Sequence, residues 1–430
     1  MTNRFRYKSA EELRKHARDM GVELPWSDDY KVLFDSYNLG ALMVPNKFVI
    51  HPMEGFDANP NGSPGDLTNR RYQRFAKGGS GLIWIEATSV TQDGRSNPAQ
   101  LYINRKNKSD FAKLVDSIHE NSRLPGSQQG EVRTTIQLTH SGRYSKPDGK
   151  PAPLVAFPDK RFDPVSVKAI ELTDDELKRI RDAHIEGAIL AEKAGFDAID
   201  IKICHGYLLH EILFARGRMN SVFGGKELEK RIRIVEEILK GIRETTRAEL
   251  FVRINVFDGL EGGFGVSNSD AMSPDLTELK EIIASLDQKG VALWSITAGI
   301  PYVNPWIGRP FDLPTKNTNS APEHPILGVS RLISLTTEVS KMTNVPVLGT
   351  GLSWLRQYFP FVAAGIIKEK LAIAIGMGRM SFAYPDLPND LFKHASVNPK
   401  KVCVACSGCT SRMREGLSSG CIIRDRDVYA

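Results

Sequence analysis

Residues 173–203 read TDDELKRIRDAHIEGAILAEKAGFDAIDIKI and carry two structural periods in succession. Thr173 followed by Asp174, Asp175 and Glu176 is a capping box. The threonine hydroxyl and the glutamate three residues on each satisfy an exposed backbone N–H of the other. A helix is predicted over Asp174–Lys193, ending before Gly195. Ala198–Ile203 then forms a short, isoleucine-rich run, which is how a strand buried on both faces of a parallel sheet reads.

The same unit recurs along the chain. Short apolar runs occur at 47–53, 81–86, 134–139, 198–203, 250–255, 292–297, 345–349 and 371–375. Helical patterns lie between them at 66–77, 109–119, 174–193, 226–244, 274–287, 329–341 and 354–363. Strands and helices alternating in one order predict an α/β fold, a (β/α)8 TIM barrel. A doubly wound sheet is the competing architecture. It commonly carries a phosphate loop, and the chain has neither G-x-G-x-x-G nor G-K-[ST]. The predicted organisation is a helical appendage at 1–39, a barrel at 40–396 and a cysteine-bearing extension at 397–430. In the appendage, Ser9 and Glu12 form another capping-box pattern, and Gly21 stops the helix. Residues 141–172, with Pro147, Pro151, Pro153, Pro158 and Pro164, are expected to be an irregular flap over the carboxyl face of the barrel.

The chain has 430 residues, 41% hydrophobic and 25% charged, which excludes a disordered or coiled-coil protein. A net charge of +6 with no Lys/Arg-rich run argues against nucleic acid as a partner. The N-terminal stretch to Trp26 has no apolar core, so no signal peptide is expected. No apolar run approaches the roughly 18–20 residues that span a bilayer. A cytoplasmic protein in a reducing compartment is expected.

A barrel places its chemistry at the carboxyl ends of its strands. Strand one ends at His51-Pro52-Met53-Glu54, strand two at Glu86-Ala87-Thr88, and strand three at Gln137-Leu138-Thr139-His140. Strand four ends at Lys202-Ile203-Cys204-His205-Gly206-Tyr207, and strand five carries Arg253. Strands seven and eight end at Gly349-Thr350-Gly351 and Gly376-Met377-Gly378-Arg379. The last two loops are the usual phosphate site of this fold. Gly351 and Gly378 let backbone N–H groups approach a phosphate, and Arg379 can grip it as a fork.

These stretches, with Gly224-Gly225, Glu229 and Arg231, resemble in order and spacing the old yellow enzyme family of FMN-dependent ene reductases (NADH:flavin oxidoreductases). The nearest branch looks like the iron–sulfur-containing 2,4-dienoyl-CoA reductases. The resemblance covers about residues 40–425. It implies that Pro52, Met53 and Ala87 line the flavin, that Gln137 bonds its pyrimidine edge, and that Arg253 lies where negative charge collects on reduction. Gly351, Gly378 and Arg379 would hold the phosphate. A polar layer inside the barrel is the plain alternative for Gln137 and Arg253. The resemblance further implies that Lys202 and His205 bind the activating carbonyl, and that Tyr207 protonates the alpha carbon after hydride leaves flavin N5.

Two positions depart from the family. Lys202 stands where His is common. It either strengthens the anion hole or contacts flavin O2 and leaves His205 to bind substrate alone; an ion pair with Asp200 or Glu86 is the plain alternative. Glu54 stands where Thr or Cys is frequent. A carboxylate beside a flavin must be paired, protonated or turned away, and no catalytic role is assigned to it.

Cys403, Cys406, Cys409 and Cys421 have the spacing of ligands for a [4Fe–4S] cluster; structural zinc and free thiols are the alternatives. The resembling reductases have one more residue between the second and third cysteines. Cys204 reads as a packed core thiol. In those relatives the cluster passes electrons to FMN from an FAD domain, for which the nine residues after Cys421 leave no room. The donor is then NAD(P)H acting directly or an external carrier such as ferredoxin or a flavoprotein. A small unsaturated molecule is the expected substrate, and Tyr302, Trp306 and Phe311 hint at an apolar one. A homo-oligomer is left open. Competing readings are a flavin-dependent amine or related dehydrogenase, a non-catalytic electron-transfer or redox-sensing protein, and a metal hydrolase using His140, His205 and Asp258.

Overall fold

Ala198, Asp200 and Lys202 alternate with Ile199, Ile201 and Ile203, and the two sets part to opposite faces. The isoleucines pack outward among helices, whereas Ala198 joins an inner cluster with Trp84, Phe251, Leu293 and Leu348. The inner cluster is the interior of a closed, all-parallel barrel in the computed structural model, which describes residues 4–126, 130–163, 167–316 and 318–430. Its strands are β1 (Phe48–Ile50), β2 (Leu82–Ser89), β3 (Arg133–Thr139), β4 (Ala198–Ile203), β5 (Glu249–Asn255), β6 (Val291–Thr297), β7 (Val347–Gly349) and β8 (Ala374–Met377). Pairing of Gly376 in β8 with Val49 in β1 closes the ring.

Eight helices surround it: α1 (Asp66–Lys77), α2 (Lys108–Asn121), α3 (Asp174–Lys193), α4 (Leu228–Thr245), α5 (Thr277–Asp287), α6 (Pro325–Ser340), α7 (Phe359–Lys368) and α8 (Leu387–His394). The α3 capping box forms as expected, with Thr173 and Glu176 bonding reciprocally. At the N-terminal helix, Ala10–Asp19, Ser9 accepts from Glu12, but Glu12 reaches back to the N–H of Lys8 rather than of Ser9. Three boundaries move for identifiable reasons. Pro325 starts α6 four residues earlier than predicted, because a proline at the first turn loses no hydrogen bond. A 3₁₀ stretch, Leu352–Tyr358, precedes α7, since Pro360 cannot donate the backbone bond that would extend a helix through it. Lys370 takes a left-handed conformation and Leu371 donates to Ile366, so Leu371 closes α7 and β8 begins at Ala374.

A hairpin of Tyr37–Leu39 with Leu42–Val44 packs into the inner cluster and plugs the N-terminal mouth. It spans the predicted 39/40 boundary, and Leu13, Ala17 and Leu24 of the appendage belong to the main core. The flap contains one turn of 3₁₀ helix, Gly142–Tyr144, and a two-strand ladder of Leu154–Val155 with Ile170–Glu171. Pro164 lies outside the described residues. Glu211, after β4, binds Arg143 at 3.0 Å and accepts from the N–H of Phe157, so the flap is pinned to the carboxyl face. The C-terminal segment also lies on that face: Ser419 donates to the carbonyl of Gly55, and Asp425 pairs with Arg70 at 2.8 Å and with Arg74. Among the described residues no helix is long and apolar enough to cross a membrane.

The loop between β1 and α1 is held by one buried cation. Arg71 of α1, 3% exposed, pairs with Asp57 in that loop and with Glu86 within β2. Glu86 in turn accepts from the N–H of Gly55. Arg71→Met is expected to leave two buried carboxylates uncompensated and to cost about 3–5 kcal/mol, read as a fall in the thermal unfolding midpoint. An unchanged midpoint would remove this network from the list of fold determinants.

Candidate active site

The carboxyl face holds two adjoining lobes of a cleft that share part of their walls. Pro52, Met53, His205, Arg253 and Arg309 line both. The inner lobe reaches Gly351, Gly378 and Arg379 at β7 and β8. The outer lobe reaches Ala87, Gln137, Lys202 and Tyr207, together with Glu54 and Tyr302. All the candidate residues outside the cysteine segment therefore border these two adjoining lobes.

A glycine is required at Gly351, which has φ +85° and where a Cβ would lie 2.3 Å from Leu332. At Gly378 a Cβ would meet only Met53 Sδ at 3.5 Å, so a side chain there would fill the cradle between them. Arg379 donates to the carbonyl of Pro310 at 2.6 Å and keeps a second buried N–H without a protein partner. Arg253 likewise keeps a buried Nε–H unpartnered. Unmet buried donors of this kind suit an anionic ligand.

Gln137 and Arg253 belong to an interior polar layer and also line the cavity. Asp200 accepts from Gln137 Nε2 at 2.6 Å and from Trp84 at 3.0 Å. This turns the Gln137 carbonyl into its free end, an acceptor. Burial pushes Asp200 up to about 7, against the pull of Gln137 and Arg253.

At the other end, His205 follows β4 with φ +66°, a strained conformation for a histidine that costs on the order of 1–3 kcal/mol. Its N–H donates to Asn255, and Nε2 lies 3.3 Å from the Thr297 hydroxyl. Burial, with Arg253 and Lys202 nearby, keeps the ring neutral. Lys202 pairs with neither Asp200 nor Glu86. Its ammonium lies 3.6 Å from Glu54 Oε1 and 3.6 Å over the Tyr207 ring. Burial lowers its hold on its proton and Glu54 partly restores it. Tyr207 donates to Glu54 Oε1 at 3.1 Å, and Ser96 donates to Oε2 at 3.3 Å. Burial and the Glu54 charge push the Tyr207 phenol well above its ordinary range, so it stays protonated.

Glu54 is thus paired inside the site rather than turned away. Arg309, Arg414 and Tyr144 carried no sequence signal. Tyr302 is clamped between Tyr144, at 3.9 Å between ring centroids, and the Arg414 guanidinium, at 4.5 Å. Trp306 and Phe311 instead pack under Arg331 and Arg309. The hydrolase constellation does not assemble. His140 faces Asp93 at 3.9 Å, while Asp258 accepts from Asn255 and Phe264.

Cys403, Cys406, Cys409 and Cys421 border a common cavity beside Arg379. Cys409 also lines the outer lobe. Backbone N–H groups of Ala405 and Arg424 point to the sulfurs of Cys403 and Cys421 at 3.4 and 3.3 Å. Among the described residues no three His, Cys, Asp or Glu side chains are arranged to hold a single metal ion. Cys204 is buried in the core.

The sequence profile of the NADH:flavin oxidoreductase / NADH oxidase family matches residues 32–398, ending before the cysteines. An NADPH dehydrogenase of Listeria monocytogenes serotype 4a (strain HCC23) is 32% identical over 234 residues, 54% of this chain and 65% of that protein. The chain thus spans somewhat less than two thirds of that relative's length. An NADPH dehydrogenase of Clostridium acetobutylicum (strain ATCC 824) is 31% identical over 59% of this chain and 72% of its own. The fold is similar to that of a 2-naphthoyl-CoA reductase in complex with 2-naphthoyl-CoA. The TM-score is 0.73 at 23% identity, covering 92% of this chain and 57% of that one. It is also similar to morphinone reductase in complex with tetrahydroNAD, with a TM-score of 0.63 at 21% identity over 85% and 92%. At these identities the likeness concerns the fold alone.

Burial pushes the Cys204 thiol up to about 11. Because the thiolate is the nucleophile, Cys204 is expected to resist alkylation near neutral pH in the folded protein and to react only after denaturation, as mass mapping would read. Rapid labelling of the native chain at Cys204 would contradict its buried placement.

Proposed function

The chain belongs to the NADH:flavin oxidoreductase / NADH oxidase family, and from that membership we propose that it is an FMN-dependent oxidoreductase reducing the activated C=C bond of an enone, enoate or enoyl thioester. The observation that carries this reading is that the two lobes share walls at Pro52, Met53, His205, Arg253 and Arg309. A phosphate-type cradle lies in one lobe and a cluster of proton and hydrogen-bond donors in the adjoining one.

The residues fit FMN. Gly351, Gly378 and Arg379 would hold the phosphate through the unmet N–H groups of that end. Gln137, with its amide nitrogen committed to Asp200, would present its carbonyl to the ring N–H. Arg253 would offer its free N–H to the ring oxygens, and Pro52, Met53 and Ala87 would pack against the ring system. FMN held there would supply hydride chemistry to the substrate's C=C bond.

His205 and Lys202 would hold the substrate carbonyl, stabilising its oxygen as charge develops. Tyr207, kept protonated by burial, would deliver a proton from Oη to the alpha carbon. The flap and the C-terminal segment, through Tyr144 and Arg414, would exclude water from the outer lobe.

Four thiols around one cavity, with backbone N–H groups aimed at two of them, support an iron–sulfur cluster, whose negative charge such donors offset; structural zinc is the alternative. NADPH is supported as donor by the name of the Listeria and Clostridium relatives; the cysteines support an external carrier, ferredoxin or a flavoprotein. Amine dehydrogenation is the second reading. It is favoured by Glu54, a buried carboxylate that could pair with a substrate cation.

Anaerobic purification should yield flavin absorbance together with iron in excess of zinc. A colourless, metal-free protein would sink the reading. Tyr207→Phe is expected to slow oxidation of the reduced enzyme by substrate by about 10²-fold or more, with flavin reduction by NADPH intact. Unchanged turnover would count against Tyr207 as the proton donor. Cys409→Ser should lose iron while retaining flavin, and loss of NADPH-driven turnover with it would place the cysteines on the electron path.

A further inference from the structure

Three side chains converge on the Glu54 carboxylate. Tyr207 donates to Oε1 at 3.1 Å, the Lys202 ammonium lies 3.6 Å from the same oxygen, and Ser96 donates to Oε2 at 3.3 Å. Tyr207 has one proton, and that proton is directed at Glu54. If the tyrosine simply released it to a substrate carbon, a phenolate would be left 3.1 Å from a carboxylate in a buried site. Like charges so close oppose one another strongly, so Tyr207 can give up its proton readily only when another arrives from Glu54.

We propose that Glu54 is the proton carrier behind Tyr207, drawing its proton from Lys202. This rests on the reading of Tyr207 as the donor to the alpha carbon. The transfer is balanced. The Tyr207 Oη–H bond breaks as the alpha-carbon C–H bond forms. A proton on Glu54 Oε1 passes to Oη, and the Nζ–H bond of Lys202 breaks to supply Oε1 once that pair closes from 3.6 Å to hydrogen-bond distance. The phenol and the carboxylate are restored, Lys202 is left as a neutral amine, and a proton from bulk solvent reloads it. No electrons move in the relay. Burial already weakens the hold of Lys202 on its proton, which suits a lysine that must yield one. The ammonium also lies over the Tyr207 ring, where it stabilises negative charge developing on the phenol. Glu54 acts through Tyr207 and is therefore a positioning residue for proton transfer.

The test uses the flavin-loaded enzyme with 2-cyclohexenone, crotonate and crotonyl-CoA as probes, following oxidation of the reduced flavin by the fastest of them. Glu54→Gln should lower kcat by about 10-fold or more and leave KM within about twofold, because general acid transfer is worth about 10²–10⁴ and only part of it is removed. Glu54→Asp, which keeps the carboxylate, should recover part of the loss. The Glu54→Gln/Tyr207→Phe double variant should be no slower than Tyr207→Phe alone, since the relay ends at Tyr207. A readout without turnover is the near-ultraviolet tyrosine absorption. Glu54→Gln should shift it more in the wild-type than in the Tyr207→Phe background, where only the weaker effect of the Glu54 charge on Tyr302 remains. Unchanged kcat in Glu54→Gln, or a double variant slowed by the product of the two single effects, overturns the relay. Unchanged turnover in Tyr207→Phe, or a wild-type enzyme inert towards all three probes, overturns the underlying reading instead.

Discussion

Charge buried at the carboxyl end of the barrel has to be neutralised locally, and Arg71 is where that constraint acts on the backbone. Its guanidinium lies between Asp57 and Glu86, with all three side chains at most 3% exposed. An isolated ion at such a place would lose most of its hydration and gain nothing in return. Satisfying Arg71 therefore fixes the path of the chain from His51 to Asp57 against β2, and Glu86 completes the tie by accepting from Gly55. Pro52, Met53 and Glu54 are carried on that path. Arg71 touches neither lobe of the cavity, yet the position of Glu54 over Lys202 and Tyr207 follows from it.

The same rule recurs one layer inward. Asp200 is partly neutralised by Arg253 and bonded by Gln137 and Trp84. Lys202 is neutralised by Glu54. The interior polar layer and the candidate site are consequently one network, in which a residue's structural role and its chemical role cannot be separated. Gln137 presents a free carbonyl because its nitrogen is needed by Asp200.

The C-terminal segment has two faces. One borders the cysteine cavity, and the other supplies Thr410, Met413, Arg414 and Ser419 to the wall of the outer lobe. Cys409 lies on both. The segment proposed to carry electrons therefore also lines the outer lobe. Its attachment through Asp425 to α1, and through Ser419 to the Gly55 carbonyl, couples it to the same β1–α1 loop.

The amino-acid sequence alone determined the barrel, most of its helix boundaries and the residues at its strand ends. These depend on local causes: hydrophobic period, capping residues, and the rule that parallel barrels place their chemistry at one end. It was also enough to show that Lys202 and Glu54 are out of pattern. It did not reveal that they belong to each other. They are separated by 147 intervening residues and by two barrel strands, β2 and β3, and a pairing of that range is set by how loops cross the mouth of the barrel, not by any local period. Arg309, Arg414 and Tyr144 were invisible for the same reason. The early start of α6 at Pro325 was within reach of sequence rules, whereas the closing of α7 at Leu371 needed a left-handed Lys370 that no glycine announced. Only the tertiary structure decided which charges neutralise which, because that choice is made by burial, and burial exists only once the chain has closed on itself.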